Sequence, residues 1–301
     1  MAEKRKSTIN SSRGDRVFTV VNYIFLTLLS LLVLYPLIYV LSSSFSSPQA
    51  VTTGKVWLYP VETTLVGYKQ VFKNPNVLRG YWNSIVLTVA GTSVNIVLTV
   101  MLAYPLSVRD FAGRKVFTAI VTFTMLFNGG LVPTFILVNN LKLYNTIWAL
   151  ILPTSISVYN TIIARTYFQS SIPYDLYESA TLDGCSDIRY IFTVVLPLSK
   201  AILAVLVLYY AVGHWNSYFN ALIYLKDAKK YPLQVVLRSI IIEANEDQSN
   251  MVDVDQLLVR QGLNNLLKYC LIVVASVPML ILYPFIQKYF VKGVMIGALK
   301  G

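Results

Sequence analysis

Six runs of about 20 or more apolar residues decide what this chain can fold into. They fall at roughly 17–41, 84–107, 116–140, 144–168, 194–214 and 267–287, and each is nearly free of charge inside. A run of this length crosses the hydrocarbon core of a bilayer as one helix. Only a helix satisfies every backbone donor and acceptor within its own segment, where no water reaches. Charge density agrees: 13% of the 301 residues are charged, against about a quarter in a soluble domain. The expected fold is an all-α membrane protein of about six transmembrane helices. One domain covers residues 17–290, between an N-terminal segment (1–16) and a tail (291–301).

Several function classes fall away at once. The net charge of +11 is strewn between apolar runs rather than gathered in one patch, which argues against nucleic acid. His214 is the single histidine, and Cys185 and Cys270 sit in unlike contexts, so neither a metal cluster nor a Ser/His/Asp triad can be assembled. The runs hold almost no ionisable side chains of the kind that relay protons or ions, which disfavours a secondary transporter or channel. Arg165, near the end of the fourth run, lies where it can snorkel to the interface. A membrane enzyme is disfavoured by the lone histidine and the absence of clustered carboxylates at the run ends.

Orientation follows from the basic residues. Lys4, Arg5, Lys6, Arg13 and Arg16 precede the first run, which is too long for a cleaved leader. Both termini are therefore expected on the cytoplasmic side. Pro36, Pro105, Pro153 and Pro278 lie inside runs and predict kinks. Gly129-Gly130 falls inside the third run, where it permits a kink or close helix packing. Trp215, Asn216, Ser217 and Asn220 interrupt the end of the fifth run, which is expected to break there into a half-helix and a loop.

The informative segment lies between the fourth and fifth runs, at 171–197. Pro173 suits the start of a helix. Asp175 and Glu178 then lie near its positive end, where the dipole favours them. Leu176, Ala180 and Leu182 form a partly apolar face, Gly184 is a natural stop, and Ser186 or Asp187 can cap a second helix that runs on toward Pro197. The prediction is helix, glycine turn, helix, lying on the cytoplasmic face of the membrane. Such an elbow carries no catalytic equipment and suits docking.

This segment resembles the EAA loop of ABC importer permeases, whose pattern is Glu-Ala-Ala, three residues, Gly, nine residues, Ile-x-Leu-Pro. The matching residues are Glu178, Ala180, Gly184, Leu196 and Pro197; Ser179 replaces the middle alanine and Val194 the isoleucine. Asp183 before the glycine resembles the sugar-permease branch. Further stretches resemble carbohydrate-uptake permeases related to the maltose importer, in the branch for polysaccharide-derived oligosaccharides. They include Tyr35-Pro36, Ser42-Ser43-Ser44-Phe45, Leu102-Ala103-Tyr104-Pro105-Leu106, Gly129-Gly130-Leu131-Val132-Pro133-Thr134, Trp215-Asn216-Ser217-Tyr218, Tyr231-Pro232-Leu233-Gln234 and the ending from Lys288.

The resemblance implies a type I ABC importer permease, in which the elbow inserts into a cleft on a cytoplasmic ATPase subunit through Glu178, Ser179, Ala180, Asp183 and Gly184, with Leu196 and Pro197 completing the motif. Lys300 and Gly301, at the end of the tail, would reach between the ATPases. The implied assembly holds a second, similar permease as heterodimer partner, two ATPases and an extracytoplasmic solute-binding protein in a prokaryotic plasma membrane. The chain has no Gly-x-x-x-x-Gly-Lys-Ser/Thr phosphate loop. It is therefore expected to bind no cofactor, with ATP and magnesium held by the partner ATPases, and not to be an enzyme by itself.

Sugars are held by aromatic faces and by polar groups that pair with hydroxyls. Trp215, Asn216, Tyr218 and Asn220 around the broken helix, and Tyr159 and Asn160 within the fourth run, are the candidates for the substrate path or for docking the binding protein. Interfacial aromatics and helix–helix hydrogen bonds explain the same residues without a substrate. A permease for an amino acid, peptide or metal is the alternative, because those branches carry EAA-like loops too.

Overall fold

The computed structural model describes residues 12–249 and 254–298, and every regular element among them is helical. The chain runs through α1 (Arg13–Ser44), α2 (Pro48–Thr52), α3 (Val66–Lys73), α4 (Pro75–Ser107), α5 (Arg114–Leu126), α6 (Leu131–Asn140), α7 (Trp148–Ile151), α8 (Val158–Ser171) and α9 (Tyr174–Leu182). It continues through α10 (Asp187–Tyr190), α11 (Leu196–Leu198), α12 (Lys200–Trp215), α13 (Phe219–Tyr224), α14 (Leu233–Ser249) and α15 (Val254–Ala298). The N-terminal basic cluster and the end of the tail, with Lys300 and Gly301, lie outside the described residues.

Three of the six expected runs are uninterrupted membrane-length helices: α1, α4 and the segment Val259–Phe285 of α15. The other three are broken, each for a local reason. The third run is α5 and α6, meeting at 112°. Gly130 at the break has φ 86° and ψ 177°, a region only glycine reaches, and its N–H donates to Asn128 Oδ1 at 2.9 Å. The Gly129-Gly130 pair therefore makes a sharp bend; a Cβ on either would meet nothing within 4 Å, so close packing is not its role. The fifth run is the arm Asp187–Leu198 followed by α12 at 85°. Pro197 lacks an N–H to continue the ladder, and the turn before it is widened into π-helix over Ile191–Val195. The fourth run, 144–168, is not one helix. It divides into α7, a 3₁₀ turn at Leu152–Thr154 containing Pro153, and α8, which Ser157 caps by accepting from Asn160 N. Pro36, Pro105 and Pro278 sit inside helices that continue through them, so the sharp bends fall at Gly130 and Ser199 instead.

The chain forms two compact units, Met1–Val71 with Ala244–Val273, and Phe72–Glu243 with Val274–Gly301. In the first, no α1 side chain before Ser42 is buried. In water such an apolar helix would be untenable; in lipid its exposure carries no penalty. Serines at and just after the end of α1 instead pin the loop after α2. Ser42 Oγ donates to Leu58 O (2.7 Å), Ser46 Oγ accepts from Val61 N (3.0 Å) and Ser47 Oγ donates to Glu62 (2.6 Å). In the second unit α4 is the central post, packing most extensively on α12 and α8. Val100, Ala103 and Tyr104 of α4 meet Ala164, Phe168, Leu206 and Tyr210 in one cluster. Leu87, nearer the start of α4, meets Val138, Leu150, Ile151 and Tyr224 in another. Between these clusters α4 carries small and polar residues, Gly91, Thr92, Asn95 and Thr99, all buried.

Candidate functional site

The elbow forms as the sequence predicts. Pro173 takes the N-cap position of α9 with φ −59°, and Asp175 lies in the first turn. At the other end Gly184 adopts φ +72°, its N–H donates to Thr181 O at 3.0 Å, and Cys185 N donates to Ala180 O at 2.9 Å. These two bonds and the left-handed glycine make a complete Schellman turn, which satisfies carbonyls the helix would otherwise leave open. Ser186 then caps α10, accepting from Arg189 N at 3.5 Å.

Aromatic contacts seat the elbow against the rest of the second unit. Tyr177 meets Tyr190 edge to face at 5.5 Å, and Tyr190 meets Tyr104 at 6.5 Å. Tyr174 donates its hydroxyl to Asp110, and Arg109 lies 5.3 Å over its ring. The bond to Asp110 and partial desolvation push the Tyr174 hydroxyl up to about 12. The outward surface is mixed: Glu178, Ser179, Asp183 and Gly184 are exposed, while Ala180 and Leu196 turn in against the core. Pro197 is exposed at the end of the second arm. Leu182 is 89% exposed and Ile188 71% exposed, so two large apolar knobs flank the turn. The pattern singled out the glycine and its acids. It did not mark Leu182 and Ile188 as contacts, because only the built turn shows which apolar residues face outward. Cys185 is partly buried against the same core as a free thiol.

The broken end of α12 carries the second candidate region. Asn216, Tyr218 and Asn220 line a cavity of about 280 Å³ with Asn95, Thr154, Tyr209, Tyr210 and His214. Trp215 does not join them. It is 2% exposed, and its Nε1–H donates to Ala275 O at 2.9 Å. Tyr159 lies outside the cavity, exposed and edge-on to Tyr209 at 6.4 Å; Asn160 is buried and also outside.

Asn95 and His214 are the residues that sequence reasoning missed. Asn95 Nδ2 donates to Thr154 O at 2.9 Å, which leaves its Oδ1 to accept from His214 Nε2 at 3.1 Å. The donor role fixes the proton on Nε2. Gly91 makes the arrangement possible, since a Cβ there would stand 2.5 Å from His214 Nε2. Tyr210 adds a hydroxyl pair with Thr99 at 2.6 Å and accepts from Ser157 N at 3.3 Å. Arg238 stacks 5.0 Å over Tyr218, and Gln234 donates to Asn216 at 3.4 Å. Neutral donors, acceptors and tyrosine faces in one cavity suit a polyhydroxylated solute better than an ion.

Comparisons with known proteins identify the family. Residues 95–296 match the family described as binding-protein-dependent transport system inner membrane component. The protein LplC of Bacillus subtilis (strain 168) is 40% identical over 98% of both chains. The polygalacturonan/rhamnogalacturonan transport system permease protein YtcP of the same organism is 41% identical, over 95% of this chain and 99% of its own. A chain in the crystal structure of a bacterial ABC transporter involved in the import of the acidic polysaccharide alginate superposes with a TM-score of 0.82 at 35% identity, over 94% of this chain and all of that one. This chain thus belongs to the family of binding-protein-dependent transport system inner membrane components: it is a membrane-integral permease subunit of an ABC importer, not an enzyme, and works with ATPase and binding-protein partners.

Proposed function

We propose that this permease moves an oligosaccharide from an extracytoplasmic binding protein into the cytoplasm, as one half of a heterodimeric pair of permeases. The observation that carries the reading is the elbow, a rigid exposed turn with Leu182 and Ile188 projecting beside Glu178 and Asp183. Its shape comes from its own backbone bonds, so it can enter a cleft on an ATPase without refolding. ATP and magnesium belong to that partner. Closure of two ATPases brings two elbows together, and the attached helices rock between inward-open and outward-open packings. Both termini and the elbow lie on the cytoplasmic side.

The substrate class rests on the polar cavity and on the relatives. YtcP is named for polygalacturonan and rhamnogalacturonan and the alginate importer for an acidic polysaccharide; a further relative from Bacillus subtilis (strain 168), 26% identical, is named for arabinooligosaccharides. Asn216, Tyr218 and Asn220 meet the sugar in this reading, with Asn95 and His214 behind them.

The test is ATPase activity of the reconstituted complex with its binding protein, across neutral and acidic oligosaccharides, amino acids, peptides and metal ions. Stimulation by an oligosaccharide family is the expected result, and stimulation by a non-sugar alone overturns the substrate. Leu182→Asp addresses the elbow in the same system. It should release the ATPases from an otherwise intact membrane pair; unchanged co-purification and transport would sink the docking assignment.

A further inference from the structure

We propose that a second cavity, under the elbow, binds a phosphate group. This cavity, of about 510 Å³, lies where the end of α4 meets the start of α9, and neither the docking surface nor the polar cavity accounts for it. Its wall is largely apolar, with Val108, Phe168 and Ile172 among its residues. Tyr104 and Tyr190 also line it, at 7% and 3% exposure, and their buried hydroxyls have no hydrogen-bond partner. An unpaired buried hydroxyl is costly, and both of these belong to residues that line the one cavity, where an acceptor could pair with them.

Arg109 and Arg114 complete the wall. Arg109 stacks on Tyr174, and Arg114 makes only a long bond of 3.4 Å from Nη1 to Val108 O, so both guanidiniums keep donors to offer. Other polar side chains of the wall are engaged with backbone carbonyls: Ser107 with Tyr104, Gln169 with Ser107 and Ser170 with Tyr167. Two acids are not among the lining residues but bond to lining tyrosines. Asp110 accepts from Tyr174 and Asp187 from Tyr177. The wall thus offers two guanidiniums and two unpaired hydroxyls, with no carboxylate among its lining residues. A sugar hydroxyl needs both roles; a phosphate oxygen only accepts, and guanidiniums with hydroxyls satisfy several such oxygens at once.

Two sources can supply that group, an anionic lipid headgroup or a soluble phosphate ester. The cavity lies at the C-terminal end of α4, a helix long and apolar enough to cross a membrane. From Arg114 rises α5, which buries no side chain and presents Phe117, Ile120 and Phe123 outward as an apolar track for an acyl chain. Both sources share the phosphate, and one experiment separates them.

The complete transporter, with its partner subunits, is placed in nanodiscs of phosphatidylcholine with or without phosphatidylglycerol. Retained lipid is read by native mass spectrometry and stability by thermal melting. Wild type should retain phosphatidylglycerol preferentially. Tyr104→Phe with Tyr190→Phe, which keeps ring packing and deletes only the hydroxyls, should lower that preference about tenfold, as expected for the loss of bonds to a charged group. Arg109→Gln with Arg114→Gln should abolish it; if that pair fails to assemble, the phenylalanine pair decides. In phosphatidylcholine alone, inorganic phosphate or glycerol phosphate is titrated against melting. A shift in wild type that both variants lose assigns the site to a soluble phosphate ester; a lipid preference without that shift assigns it to the lipid. Absence of both responses in wild type, or responses that neither variant alters, overturns the proposal.

Discussion

The elbow and the polar cavity at the end of α12 are built on opposite principles. The elbow's glycine turn is closed by backbone bonds between near neighbours, the longest reaching from Cys185 back to Ala180, and its functional surface is exposed; Tyr174 with Asp110 and Tyr190 with Tyr104 only seat it. The cavity depends on pairs distant in sequence, such as His214 with Asn95, 119 positions apart, and its key groups are buried. The difference is one of coupling. The elbow can be altered without unsettling the helices that carry it, whereas any change at the cavity is felt by the packing of α4 against α12.

Substitutions can sharpen or break that contrast. The largest effect is expected from Gly184→Val. A branched side chain at φ +72° opposes the turn by at least about 1–2 kcal/mol, so substrate-stimulated ATPase activity should fall tenfold or more, with the melting temperature nearly unchanged. A large drop in melting temperature would show that the elbow is not independent of the core. Asn95→Leu comes next. It strands His214 in a buried site and should lower stability by about 1–3 kcal/mol in denaturant unfolding, with the ATPases still bound. Adding His214→Leu should recover part of that loss, and a strictly additive double variant would deny the pair. Gly91→Ala pushes a Cβ into the His214 ring and should cost about 1 kcal/mol, since overpacking costs that much or more; thermal melting checks it. The smallest effect is Leu182→Ala. Its side chain is 89% exposed, so stability should not move, while ATPase binding weakens severalfold, by about 1 kcal/mol of lost apolar contact measured in a titration.

The same contrast explains what the sequence reveals. The Schellman turn at Gly184, the cap at Ser186 and the stop at Trp215-Asn216 are written within a few residues of one another, and each was legible. Apolar run length announced the membrane helices but not their breaks. In the fourth run Pro153 predicts a kink rather than a break, because proline is tolerated in many membrane helices; the break there also depends on Thr154, whose carbonyl accepts from Asn95 across the bundle. Of the substrate-path candidates, Asn216, Tyr218 and Asn220 came together, while Trp215, Tyr159 and Asn160 faced elsewhere. All six share polar or aromatic chemistry, and helix phase at a break is set by partners that residue type does not name. Asn95 and His214 were invisible for the same reason: each is a lone polar residue in an apolar run until the fold pairs them.

The bend at Ser199 makes the arm Asp187–Leu198 and α12 the two limbs of a bell crank. At about 1.5 Å per residue the limbs are roughly 18 Å and 24 Å long. With a stiff pivot, a sideways push on the short limb emerges as a swing along the other axis, magnified by roughly a third at Trp215, beside Asn216 of the cavity rim. The gearing runs toward larger travel at smaller force. Such a train suits a machine whose input is a strong, short stroke and whose output must open a passage wide enough for a bulky cargo.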